Sequence, residues 1–119
     1  YCNEAAFLLH QTVENLYQGL LLTFTFYTPY DHNILFLRDL AEDIDRSLFD
    51  VWPRGTRRER ALYQKLKDAY RKGRYSRHYR ISREDLEWLA GHAEVLGQRV
   101  HALCQSRIAE LRRAVTDQA

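Results

Sequence analysis

"SREDLEWLAGHAEVLGQRVHALCQSRIAEL", residues 82–111, places apolar side chains at Leu86, Leu89, Ala93, Leu96, Val100, Leu103 and Leu111. Steps of three and four residues line these positions up on one face of an α-helix. Ser82 followed by Asp85 has the form of a capping box, the hydroxyl facing the N–H groups of the first turn. The pattern predicts one long terminal helix with an apolar stripe, and such a stripe must be covered by other helices or by a partner.

The rest of the chain supplies those helices. "NEAAFLLHQTVENLYQGLLLTF" (3–24) repeats the spacing at Ala6, Leu9, Val13, Leu16, Tyr17, Leu20 and Phe24, so a first helix is predicted from Asn3 to Phe26. Pro29 disfavours helical geometry at Thr28, and Asp31 or Asn33 can cap the next helix. That second helix carries Ile34, Leu37, Leu40, Ala41, Ile44 and Leu48 and stops before "VWPRG". A third opens at Thr56, in a box with Glu59, buries Leu62, Leu66, Ala69 and Tyr70, and frays near Gly73. Trp52 and Pro53, with Phe49, read as a plug closing the bundle end, and Trp88 as a core residue. No stretch alternates like a strand, so the fold expected is all-α, an up-and-down bundle of four main helices with a long C-terminal helix.

A chain of 119 residues is one domain, 1–119, large enough to enclose a core without metals or disulfides. Cys2 and Cys104 fit neither a disulfide framework nor a zinc spacing, and are expected to be reduced in a cytoplasmic protein. The apolar run "GLLLTF" is far short of the ~20 residues of a membrane span. The chain contains no Met, so Tyr1 is expected to be a cut inside a longer protein.

Charge is unevenly distributed. Residues 1–53 hold two Lys/Arg against eight Asp/Glu, residues 54–83 hold twelve against two, and residues 84–119 hold four against six. The net charge of +2 therefore conceals a basic middle suited to an anion or to an acidic protein surface. Its densest part is "YRKGRYSRHYRIS", residues 70–82. Arg71, Arg74, Arg77 and Arg80 offer bidentate donors to phosphate, His78 lies among them, and Tyr75 and Tyr79 offer rings on which a base can stack. The plain alternative is a charged loop at a helix end. Arg54, Arg57, Arg58 and Arg60 can extend the basic surface, although cations at a helix start oppose its dipole.

The stretches "FLLHQTVENLYQGLLLTF" (7–24), "YTPYDHNILFL" (27–37), "YRKGRYSRHY" (70–79) and "ISREDLEWL" (81–89), in that order, resemble the HEPN family (higher eukaryotes and prokaryotes nucleotide-binding). The chain is similar in particular to the subgroup found C-terminal to a minimal nucleotidyltransferase domain in bacterial proteins, over about residues 4–108. The resemblance implies a helical bundle, a homodimer, a nucleotide or RNA ligand with no DNA, and a nucleotidyltransferase domain ahead of Tyr1 in the same chain. That domain would carry the catalysis, since the acidic run "DLAEDID" stands on a helix and not on the strand such transferases use.

Ribonuclease members of the family carry an arginine, four to six residues, then a histidine, and Arg71 with His78 is the pair here that fits. The histidine would move a proton at a ribose 2′-hydroxyl while the arginine faced the phosphate. Against it, Lys72 stands where the family has an uncharged polar residue or an acid, and Gly73 loosens the helix. His10 reads as a hydrogen-bonded histidine at a helix interface, near Glu14 and Tyr17, and His32 as part of a turn and cap. His92 and His101 stand nine apart and make no helical metal pair, so no metal is expected and no cofactor beyond a nucleotide. Three readings are open: a binding and dimerisation module holding a nucleotide or RNA at 70–82, a ribonuclease, or a purely structural dimerising bundle.

Overall fold

A computed structural model describes residues 1–118, with residues 74 and 75 described in backbone only. The chain forms α1 (Cys2–Thr25), α2 (Ile34–Ile44), a 3-10 turn (Arg46–Leu48), α3 (Arg57–Asp68), the short α4 (Lys72–Tyr75) and α5 (Arg83–Gln118). This is the all-α bundle with a long last helix, and no strand occurs among the described residues.

The helix ends are set by local chemistry. Asn33 caps α2, its side chain accepting the N–H groups of Leu35 and Phe36 at 3.0 and 3.3 Å, while Asp31 accepts the N–H of Asn33 at 2.8 Å. The second helix stops at Ile44 and not near residue 50, because Asp45 turns extended and its carboxylate takes the N–H of Ser47 at 2.9 Å. Leu48 is buried from the 3-10 turn instead. Thr56 and Glu59 close the capping box on α3 in both directions. At α5 half of the expected box forms: Ser82 accepts the N–H of Asp85 at 3.0 Å, and the Asp85 carboxylate pairs with Arg58 at 2.8 Å. α1 ends on Phe26 in the left-handed conformation, φ 61°, its N–H closing on the Leu22 carbonyl at 2.9 Å.

The two long helices lie side by side and run in the same direction. Asn3 donates to the carbonyl of Tyr79 just before α5, Leu16 stands over Gly97, and the Arg107 guanidinium lies 5.7 Å from the Phe24 ring centre. A strict alternation of directions would have set the first and last helices antiparallel. α5 outlasts its neighbour, so Ile108 and Val115 stay exposed, and Leu22 and Phe26 in the last turn and cap of α1 are exposed as well.

Between the long pair and the α2–α3 layer lies the core, which includes Val13, Tyr17, Leu20, Leu37, Leu66, Leu89 and Leu96. Trp52 plugs its edge as expected, wholly buried, its Nε1–H donating to the Tyr17 hydroxyl at 3.0 Å. Phe49 does not join the plug. It is half exposed, with the Arg54 guanidinium 4.2 Å above its ring. Tyr63 donates to the Ile34 carbonyl at 2.7 Å, and burial pushes both phenols, Tyr17 and Tyr63, well above the usual tyrosine range.

The basic row at the start of α3 is largely tied down. Arg54 grips Glu42 at 3.1 and 2.7 Å, Arg58 pairs with Asp85, and Arg60 donates to the Arg54 carbonyl at 2.8 Å. Glu42 is 3% exposed, and Arg38, 9% exposed, faces it at 3.9 Å while lying over the Tyr63 ring. Arg54 thus neutralises a buried carboxylate and is not free to take an external anion.

Candidate functional site

α3 is interrupted at Ala69, and the break sets up the site. Tyr70 leaves the helix axis and covers the middle of α1, its ring stacked on His32 at 4.3 Å and 18°, and 5.3 Å from the His10 ring. Gly73 restarts the helix against the N-terminus of α1. A Cβ there would stand 3.4 Å from the Asn3 carbonyl oxygen, in ordinary van der Waals contact. The helix is broken on the approach to Gly73, α3 ending at Asp68 and α4 spanning only Lys72–Tyr75.

Beneath Tyr70 lie three polar side chains from two elements. Glu14, 5% exposed, projects from the fourfold spacing of α1, one turn after His10. His32 arrives from the turn before α2 and places Nδ1 2.9 and 3.0 Å from the two Glu14 oxygens. A nitrogen facing a carboxylate carries the proton, so Nδ1 donates to Glu14 and Nε2 is left for other partners. His10 is fully enclosed and, contrary to the sequence reading, neither ring nitrogen makes a hydrogen bond of good geometry. Burial holds its pKa below the ordinary histidine range, against the opposing pull of Glu14, the Gln11 side chain and the His32 backbone.

The groove over this cluster has a volume of about 650 Å³ and is lined by Tyr30, Asp31, His32 and Asn33 on one bank and Lys67, Asp68, Tyr70, Arg71 and Lys72 on the other. Lys67 and Arg71 have no ion-pair partner among the described residues, whereas Lys72 stands 3.8 Å from Asp68. The three cations cluster at the C-terminal end of α3, where they also offset the negative pole of the helix. The site therefore sets positive charge beside the flat faces of Tyr30, His32 and Tyr70.

The residues read from the sequence are distributed and do not share one pocket. Arg71 lines this groove; His78 and Arg80 line a second one of about 490 Å³, with Lys65, Asp68, Lys72 and Tyr79 among its walls. Arg77 is exposed and belongs to neither lining. Tyr79 is not a free ring for stacking. It is buried, its hydroxyl donates to the Lys65 carbonyl at 2.8 Å, and burial, then Asp68, pushes its pKa up to about 12. The side chains of Arg74 and Tyr75 lie outside the described residues.

His32, Lys67 and Tyr70 line the groove and Glu14 is buried behind His32, and the sequence reading assigned none of the four to the ligand. A usable signal existed, since a lone acid inside the apolar first helix calls for a partner, but nothing in linear order names His32 as that partner. His92, on α5, bonds the Val51 carbonyl at 2.8 Å and packs on Trp88, while His101 is exposed. No cluster of three His, Cys, Asp or Glu able to hold a metal occurs among the described residues, and no helix there is long and apolar enough to cross a membrane. No protein-family model matches this chain, and comparison with curated proteins finds no match.

Proposed function

We propose that this chain is a nucleotide- or RNA-binding and dimerisation module of a nucleotidyltransferase-type, HEPN-like cytoplasmic protein. The anion is held not by the 70–82 loop as a whole but in the groove where Arg71, Lys67 and Lys72 meet the His32 and Tyr70 rings. One observation carries this reading: two unpaired cations and a carboxylate-held histidine converge on the same groove beside aromatic faces. Phosphate needs the convergent donors, and a base or ribose needs the faces. Catalysis by the chain alone is not part of it; the placement of Arg71 and His78 in the linings of different grooves supports that choice. The exposed Leu22, Phe26, Ile108 and Val115 along the long helix pair support self-association.

The test is isothermal titration with ATP at low and high salt. Binding in the range 10 to 500 μM, on the order of typical small-ligand affinities, should weaken at least tenfold in Arg71→Glu and as salt rises. Undiminished binding in Arg71→Glu, with the helical circular dichroism unchanged, rules the groove out as the site.

A further inference from the structure

We propose that the groove around His32 and Arg71 is one half of a track for a single strand of RNA, which crosses the end of α3 into the groove around Lys65 and Arg80. This rests on the phosphate-binding reading of the first groove and selects a strand over a mononucleotide.

The two grooves share a wall. Asp68 and Lys72 line both, so the two depressions lie on either side of one ridge at the end of α3. Lys65 lies on one side and Lys67 on the other. Two residues apart on a helix is a rotation of about 200°, so the pair points to opposite flanks of an element ~10 Å across. That separation exceeds the Debye length of ~8 Å at physiological salt, and a phosphate in one groove is largely screened from the cations of the other. A mononucleotide gains from one set. A chain of phosphates gains from both, with Lys72 at the crossing.

Two further features suit a strand. Tyr30, at the lip of the first groove, is 95% exposed, its ring edge-on to His32 at 5.6 Å. A tyrosine ring left open to water beside unpaired cations is a stacking platform for a base, and stacking needs unpaired bases. Asp31 and Asp68 oppose phosphate, but each offers a carboxylate that can accept from a 2′-hydroxyl, which RNA has and DNA lacks. Asp68 already accepts from Gln64 at 3.0 Å and lies 3.8 Å from Lys72, which leaves lone pairs on both oxygens.

The experiment compares ATP, an eight-nucleotide oligouridylate and the DNA of the same length by titration and fluorescence anisotropy. The RNA should bind at least tenfold more tightly than ATP. Its logarithmic salt dependence should be steeper, by about 0.7 for each added phosphate contact. Arg71→Glu should weaken ATP and RNA alike, whereas Arg80→Glu, at an exposed position, should weaken RNA about tenfold and leave ATP unchanged. His78→Glu gives a second variant in the same groove should Arg80→Glu fail to fold. RNA binding no tighter than ATP, or RNA binding indifferent to both second-groove variants, overturns the track while ATP binding leaves the first groove standing. Loss of ATP and RNA binding together overturns both readings, and equal affinity for the DNA overturns the assignment to RNA.

Discussion

Replacing His32 by alanine should cost more stability than replacing its partner Glu14 by glutamine, and the difference can be worked from the contact. Glu14→Gln keeps an oxygen that can accept from His32 Nδ1 and removes only the charge. Hydrogen bonds to charged groups contribute about 1.5–3 kcal/mol against about 1 for neutral ones, so the loss is ~1 kcal/mol. His32→Ala instead leaves the carboxylate, 7% exposed in its side chain, without its hydrogen-bond donor and removes the platform under Tyr70. Stranding a buried charge costs about 3–5 kcal/mol; the half-open ring, 35% exposed, lets water into part of the space and brings the figure to ~3. For a domain of this size, 1 kcal/mol moves Tm by roughly 4 °C, giving shifts of about 4 °C and about 12 °C. The assay is thermal unfolding by circular dichroism at pH 7.5 for both variants and for the double variant. The double variant should be less damaged than the sum, by about 1–2 kcal/mol, because the amide is cheaper to strand than the carboxylate. Additive effects, or His32→Ala milder than Glu14→Gln, would show that the two side chains are not coupled and that the site lacks its anchored histidine.

The structure sets three other outcomes. Glu42→Gln should destabilise by about 2–4 kcal/mol, since it leaves Arg38 buried and Arg54 partly so without a counter-charge; urea midpoints would register it, and a loss below 1 kcal/mol would mean the pair is solvated. Phe26→Gly should raise stability by about 1 kcal/mol, because glycine tolerates the left-handed cap and the ring, 68% exposed, gives up little packing; a lower Tm would refute the cap assignment. His10 binds a proton less readily folded than unfolded, so the unfolded chain takes up the extra proton as pH drops below about 6.5, and stability falls there by up to about 1.4 kcal/mol per pH unit. Unfolding measured from pH 7.5 to 5 should show this slope in the natural chain and a flatter one in His10→Leu, and identical slopes would place the proton elsewhere.

Linear order carried whatever depends on near neighbours. The three-and-four spacing of Leu89, Leu96 and Val100, the reciprocal Thr56–Glu59 cap and the cap at Asn33, one of two candidates, all involve residues within a turn or two, and each falls within what the pattern allows. Trp52 as a buried plug was legible for a related reason, since a large apolar ring next to a proline between helices has few places to go but inward. Charge density also marked residues 54–83 as the basic part of the chain. It could not apportion its cations. Arg54 and Arg58 are consumed by Glu42 and Asp85, Arg71 and Arg80 fall on opposite flanks of α3, and Tyr79 turns in to hold the Lys65 carbonyl. Partners such as Glu14 and His32 meet only because the connection after α1 doubles back along it while Tyr70 folds down from the broken end of α3. Periodicity is a property of one helix, but a buried carboxylate is answered by whichever element packing brings beside it, and that pairing exists only once the helices have been laid against one another.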